Sequence, residues 1–410
     1  MQPHKSSRQA TIGHIDDIWL KAAVGGGLWA SVEIILGSFL HNLRVPMAGS
    51  LLASFGIVLM TALFQVWPHR GLIWRAGLIC ALMKSISPSA VILGPMTGIM
   101  MEALLLEAGI AMLGKNRAGY LVGGALALFS ALLHKLLSLL LLYGFNIITI
   151  YLNLFYFAAR QIDIPRTDPW QLIAILSGLY MVSGALAAYA GYLAGKKSLT
   201  PQPAAKRAQV NPGKRGEKEK DIFEPSTERF SFALFALHIA AIPGGMVLIN
   251  YAERLIAYPV LIIYTGFCII YYKNTIRRFK KPLFWFQLLV IIILATIFLE
   301  SFDKGTLSVN WTGVMAGVDM NIRALLVVAG FSALSIELKN PLITNFLLKR
   351  GFKQLYLSVT LAFRALPVMM EEISRPKLFF TSPFYSVRQM VANAPAWLET
   401  LHKEKYSENQ

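Results

Sequence analysis

Apolar and polar positions follow one another along the chain in long blocks, with apolar runs of about twenty residues between shorter polar segments. Runs of about that length match the roughly 30 Å hydrocarbon core of a bilayer when they are helical. Because backbone polar groups in lipid must pair within the segment, each run is predicted to be a helix. The predicted spans lie near residues 18–40, 48–66, 70–88, 91–113, 118–142 and 170–195, and then near 230–250, 256–272, 283–299 and 311–336.

One polar stretch divides these runs into two groups. Residues 195–221, GKKSLTPQPAAKRAQVNPGKRGEKEKD, are rich in Pro, Lys, Arg and Glu and have no apolar period, which predicts an unfolded linker. The fold class is therefore an all-α polytopic membrane protein of about ten transmembrane helices in two membrane domains. The expected division is a six-helix domain over 1–195, a basic, disordered cytoplasmic linker over 196–228, and a domain over 229–410 with four or more spans and cytoplasmic helices from about 340.

The charge distribution predicts the orientation of these helices. The net charge is +17, yet charged residues make up only 15% of the chain and hydrophobic residues 55%. The basic residues collect in alternate loops, which is the positive-inside pattern and not the footprint of a nucleic-acid-binding protein. We expect a multi-pass protein of the cell (inner) membrane with both termini in the cytoplasm and no nucleic-acid partner.

Chemistry-bearing motifs are scarce in this sequence. Cys80 and Cys268 lie singly inside apolar runs, so neither a disulfide nor a metal site is predicted. No catalytic residue and no covalently bound cofactor are expected. The phosphate-binding pattern G-x-x-x-x-G-K-[ST] does not occur, so we do not expect the chain to hydrolyse ATP itself.

The first predicted helix carries small residues at a regular spacing. Ala22, Gly26 and Ala30 lie four apart on one face, and Ala23, Gly27 and Ser31 form the adjacent row. Small residues at this spacing let a second helix approach closely in lipid. We expect the face of Ala22, Gly26 and Ala30 to dock on another domain; packing within its own domain is the alternative.

Two resemblances to one transporter family emerge from these patterns. The first domain resembles the substrate-binding S component of energy-coupling factor (ECF) transporters. The resemblance lies in its six helices with both ends inside, in the small-residue face of the first helix and in the segment GPMTGIMMEALLLE (94–107). AGVDMNIRALLVVAGFSALSIELKNPLI (316–343) followed by TLAFRALPVMMEEI (360–373) resembles the transmembrane T component, with Arg323 and Pro341 at its first arginine and its turn proline. The chain thus looks like an S component fused to a T component.

The second resemblance implies that the C-terminal segment binds separate ABC-type ATPase subunits, which would use the ATP. The residues expected to couple the chain to them are Arg364, Pro367, Glu371, Arg375 and Arg388. The chain departs from the family because no Ala-Arg-Gly occurs in this segment, where SRP (374–376) and VRQ (387–389) are the arginine-centred candidates. The alternative is an interfacial amphipathic helix on anionic membrane lipid.

Ionisable and polar groups in or beside spans indicate a ligand site, because they are costly to place in lipid. The residues predicted to bind substrate are Glu33, Lys84, His134 and Lys135, in the outer half of the first domain, and Asn146, Asn153 and Trp170, which border the same level. The segment NIITIYLNLFYF (146–157) is a candidate lid. Other roles remain open at this point: Lys84 could extend to the interface, Glu33 could pair with a lysine, and Trp170 could belong to an interfacial aromatic belt.

The resemblance implies an ECF-type importer of a vitamin or other micronutrient. A nickel or cobalt importer is disfavoured, since the chain begins Met-Gln-Pro-His and lacks the N-terminal Met-His element of that subgroup. The alternatives are an ion-coupled secondary carrier or a non-transporting membrane scaffold. A membrane-embedded lipid or prenyl transferase is disfavoured because Asp16 and Asp17, the adjacent aspartates, precede the first span and have no second acidic pair.

Overall fold

The computed structural model describes residues 15–43, 45–85, 93–161, 168–198, 232–272, 279–280, 282–299, 311–337, 353–372 and 382–407. Its elements in that part of the chain are helices, and no strand occurs there. The helices are α1 (Asp17–Asn42), α2 (Ala48–Val66), α3 (Leu72–Ser85), α4 (Leu93–Leu113), α5 (Arg117–Tyr143), α6 (Asn146–Gln161), α7 (Pro169–Ser198), α8 (Phe232–Tyr251), α9 (Arg254–Tyr271), α10 (Pro282–Phe298), α11 (Trp311–Glu337), α12 (Lys353–Glu372) and α13 (Pro383–Ser407).

The described helices confirm an all-helical protein suited to a membrane. Eight of them are long and apolar enough to cross a bilayer by length and composition: α1, α2, α4, α5, α7, α8, α9 and α11. The other two predicted spans contain α3 and α10, for which 14 and 17 helical residues are described.

Local sequence explains several helix ends. Asn116 has extended backbone angles before α5, and its Oδ1 accepts a hydrogen bond of 2.9 Å from the amide N–H of Gly119. An asparagine in this geometry satisfies one of the free amides at the start of a helix. The same helix stops at Gly144, whose φ of 72° is readily adopted only by a residue without a side chain.

Helices α1–α7 are here called the first half, and all of them except α6 share one large core with α1 near its centre. In α1, 78% of the most apolar window is buried, the highest share among the candidate spans. Its neighbours in this half are α2 and α3. Glycines bring other helices of this half close together: a Cβ on Gly109 of α4 would collide with the backbone of Gly123 in α5.

Helices α8–α11, here called the second half, pack around α11. This helix contacts α8, α9 and α10, and its buried residues belong to three small clusters instead of one continuous core. The contact between the halves includes α6, which packs against α10, and the end of α5, which meets α11. Helix α6 covers residues 146–157, the segment expected to form a lid, and that segment is a continuous helix.

The two last helices, α12 and α13, here called the tail helices, pack on the first half. Helix α12 lies against α1 and α3, and α13 lies against α7 and α2. Their buried apolar side chains belong to the same core as α1–α5 and α7; they are Leu361, Ala362, Phe363, Ala365 and Met369 of α12 and Val387, Met390, Val391, Ala394, Trp397 and Leu401 of α13. The expected linker overlaps α7 up to Ser198, and its remainder lies outside the described residues.

Candidate functional site

The contact between α1 and α12 brings small residues together at the helix that was expected to dock. An ideal Cβ on Gly27 would lie 2.9 Å from Sδ of Met369 and 3.8 Å from Cβ of Ala362. Met369 and Ala362 are both fully buried. The absence of a side chain at residue 27 therefore allows α12 to lie directly on α1.

The adjacent face of α1 points elsewhere. An ideal Cβ on Gly26 would lie 2.7 Å from both the carbonyl oxygen of Ala76 and Cβ of Ile79, two residues of α3. Ala22 and Ala30, its companions in the predicted docking face, are fully buried. The structure thus places Gly26 in packing within the first half, and the row of Gly27 meets the tail helix.

The residues expected to couple to ATPase subunits fall at different places. Arg364 is exposed on α12, and Pro367 and Glu371 lie further along the same helix. Arg388 is half-buried on α13, and its backbone carbonyl accepts a hydrogen bond of 3.2 Å from Ser198 Oγ at the end of α7. Arg375 lies outside the described residues.

Two of the predicted substrate-binding residues form an ion pair inside the first half. Lys84 Nζ of α3 lies 3.0 Å from Glu33 Oε2 of α1 and donates a second hydrogen bond of 2.9 Å to the Glu33 carbonyl oxygen. Gly37, one turn further along α1, leaves room for the ammonium group, which lies 3.4 Å from the position of its missing Cβ. Glu33 therefore pairs with a lysine inside the protein, which was the alternative to substrate binding for this residue.

A second acidic side chain lies close enough to Glu33 to interact with it electrostatically. Glu102 of α4 is 4% exposed and faces the same interior as Trp29 of α1, which is fully buried. Oε1 of Glu102 and Nε1 of Trp29 lie 2.8 Å and 2.6 Å from the position of a Cβ on Gly56 in α2. Neither atom has a hydrogen-bond partner among the described residues. Glu33, Lys84, Glu102 and Trp29 are called the buried polar cluster below.

A separate polar group joins α2, α5 and α7. Lys135 Nζ donates to Ser50 Oγ at 2.9 Å and lies 3.4 Å from the Tyr180 hydroxyl, and these two hydroxyls are 2.9 Å apart. Lys135 is exposed, whereas Ser50 and Tyr180 are buried. His134, the neighbour of Lys135, faces α4 instead, with Cδ2 at 3.8 Å from the Cβ position of Gly98.

The remaining predicted residues do not join either group. Asn146 and Trp170 are exposed. Asn153 of α6 donates a hydrogen bond to the carbonyl oxygen of Phe298 in α10, and Phe157 packs edge-on against the ring of Phe298 with 5.8 Å between ring centroids. Helix α6 thus connects the two halves through Asn153.

The second half contains a buried network that the sequence analysis missed. The ring nitrogens of His238 in α8 lie 2.9 Å from the hydroxyls of Tyr264 and Tyr272, and Tyr272 donates a hydrogen bond of 2.6 Å to Glu337 at the end of α11. His238, Tyr272 and Glu337 are at most 3% exposed. The sequence signal for this network is an ionisable side chain, His238, within the apolar run near 230–250.

No set of three or more His, Cys, Asp or Glu side chains able to hold a metal occurs in the described part of the chain. Comparison of the chain with protein-family profiles, with curated proteins and with solved structures gave no match.

Proposed function

We propose that this chain is the membrane subunit of an ECF-type importer of a vitamin-like micronutrient. In this proposal the first half captures the substrate, the second half is the scaffold, and separate ABC-type ATPase subunits supply energy through the tail helices. The observation that supports it is the packing of α12 on α1 around Gly27. This contact joins the segment that resembles coupling helices to the helix that resembles the docking helix of an S component.

The chemistry of that contact suits two membrane bodies that must move relative to each other. Apolar side chains gain little by leaving lipid, so helices in a bilayer associate through close packing of small residues. Gly27 and Ala362 present almost no side chain to interlock, and the unbranched Met369 adapts its shape readily. A surface of this kind provides contact without fixing one rotational position.

The outer surface of the tail helices is suited to a protein partner. Lys353 and Arg364 are exposed on α12, while the apolar residues of that helix face the first half. Arginine pairs with carboxylates through two parallel hydrogen bonds, which makes it effective at interfaces. A groove with acidic residues on an ATPase subunit would be complementary to this surface.

The substrate would bind at the end of the first half where α1 ends and α2 begins. Lys135 and the hydroxyls of Ser50 and Tyr180 converge there, and they can bind a carboxylate or a hydroxyl group of a small molecule. His134 lies one residue away on α5. Glu33 and Lys84 already neutralise each other, so they are weaker candidates for direct contact with a substrate.

The second candidate function is an ion-coupled secondary carrier. It is favoured by one observation, the buried polar cluster, in which Glu102 lies beside an already complete ion pair. Charged groups of this kind inside a membrane bundle mark ion pathways and proton relays in transporters. In this case uptake would depend on an ion gradient and would need no ATPase.

The two functions separate in a reconstitution experiment. The chain is purified in mild detergent from the cell that produces it, and co-purifying ABC-type ATPases are identified by mass spectrometry and reconstituted with it in vesicles. The importer predicts uptake of a vitamin that requires ATP inside the vesicles and survives a proton ionophore. Uptake by the chain alone that collapses with the ionophore would reject the importer in favour of the carrier.

A further inference from the structure

The buried polar cluster carries an uneven number of charges. Glu33 and Lys84 form a complete ion pair with 3.0 Å between Oε2 and Nζ. Glu102 adds a second carboxyl group, and it is 4% exposed. With all three groups ionised the cluster would hold one uncompensated negative charge in the buried interior of the helix bundle, which costs several kcal/mol or more.

Among the described residues, no second positive charge acts on Glu102. Glu33 of α1 and the fully buried Cys80 of α3 are the ionisable groups that interact with it, and Lys84 of α3 is already paired with Glu33. His134 of α5 lies beside Gly98, one turn before Glu102 on α4, and α2 contributes the backbone of Gly56 and has no ionisable residue. Glu107, on the same helix, faces away and accepts hydrogen bonds from the amides of Gly71 and Trp74.

A second observation locates the site on Oε1 of Glu102. The Nε1–H of Trp29 is fully buried and has no acceptor among the described residues, and it lies within reach of the same point beside Gly56 as Oε1. The buried polar cluster, together with Gly56, thus defines a polar site between helices α1, α2, α3 and α4. The described residues provide no set of three His, Cys, Asp or Glu side chains that could hold a metal ion.

We propose that Glu102 is a proton-binding site that holds one exchangeable proton at neutral pH. Protonation removes the uncompensated charge and gives the carboxyl group an O–H donor, while its carbonyl oxygen can accept from the indole of Trp29. The Glu33–Lys84 pair stays ionised and neutral overall. This inference goes beyond the proposed function, since it holds whether or not ATPase subunits bind the chain.

The experiment uses infrared spectroscopy on the purified full-length protein in detergent at neutral pH. A protonated carboxyl group has a C=O absorption that is well separated from that of a carboxylate. The wild type is expected to show this band, Glu102→Gln to lose it, and Glu107→Gln, the control on the same helix, to keep it. A wild type without the band, or a band that persists in Glu102→Gln, would overturn the proposal.

Two further arms cover the remaining outcomes. Trp29→Phe keeps the carboxyl group but removes the indole N–H, so the band should shift; an unshifted band would place the proton elsewhere, even where Glu102→Gln fails to fold. Added sodium at constant pH should leave the band unchanged. Its loss on sodium addition would identify an alkali ion as the ligand and reject the proton.

Discussion

Gly27 of α1 lies against Met369 of α12, whose Sδ is 2.9 Å from the position that a Cβ on residue 27 would take. One residue earlier, the same helix meets a backbone carbonyl and a β-branched side chain of α3, at Ala76 and Ile79. The two adjacent glycines therefore face two different partners. Gly26 packs within the first half, and Gly27 packs against the tail helix α12.

Substitutions at these two glycines should separate the two roles. Gly26→Ala should cost about 1–3 kcal/mol in stability, because its Cβ collides with rigid atoms of α3. Gly27→Ala should be close to neutral, since the gain in helix propensity of about 1 kcal/mol offsets the displacement of a flexible thioether. Thermal unfolding of the two variants in the same detergent measures the difference. Equal destabilisation by both would contradict the assignment of partners.

A larger side chain at residue 27 should act on the tail helices. Gly27→Leu would push α12 away from α1 and remove close van der Waals contact. We expect limited proteolysis to cut between α11 and α12 faster in this variant, with Gly27→Ala as the matched control. An unchanged rate of cleavage would show that the contact contributes little to holding the tail.

The Glu33–Lys84 pair gives a prediction about stability. Lys84→Met leaves the carboxylate of Glu33 buried without its cation and should cost about 3–5 kcal/mol. Adding Glu33→Gln to that variant should recover much of the loss, because no uncompensated charge then remains. Chemical unfolding of the two single variants, the double variant and the wild type tests this as a double-mutant cycle. Additive losses would mean that the pair is not coupled.

The network around His238 gives a prediction for the second half. Tyr272→Phe removes the hydroxyl that joins His238 to Glu337, so both groups lose a buried hydrogen bond, at a cost of about 1–3 kcal/mol or more. Tyr264→Phe removes one bond to His238 and leaves the Tyr272–Glu337 bond in place, so it should cost less. The midpoints of denaturant unfolding compare them, and a larger loss in Tyr264→Phe would contradict this ranking.

Much of the fold could be predicted, because an apolar run of about twenty residues in lipid must form a helix to pair its backbone polar groups. The helices over Ala48–Val66 and Leu93–Leu113 agree with the predicted spans to within about two residues. Helix α6 was not recognised as a helix, because its 16 residues are too few for a span and mix polar with apolar side chains. The packing of the tail helices on the first half could not be predicted from periodicity, which reveals a buried face but not its partner.

The candidate sites were predictable only in part, for a related reason. Costly groups such as Glu33 and Lys84 stood out in the sequence, but their separation of 51 residues conceals that they pair with each other. Asn153 was expected at a substrate, and it donates to Phe298 of the second half. Gly26 and Gly27 differ by one step of about 100° around the helix, so small-residue spacing alone could not decide which of them faces α12.

The contact between the tail helix α12 and α1 at Gly27 can be tested by disulfide formation. Cysteines at residues 27 and 362 should cross-link, because their Cβ atoms would be 3.8 Å apart, close to the usual separation in a disulfide. The test uses a chain with Cys80 and Cys268 replaced by alanine and a protease site in segment 199–231. After oxidation in native membranes and cleavage, the fragments should stay joined for Gly27→Cys with Ala362→Cys and separate for Gly26→Cys with Ala362→Cys. Fragments that separate for the first pair, or stay joined equally for both, would contradict this contact.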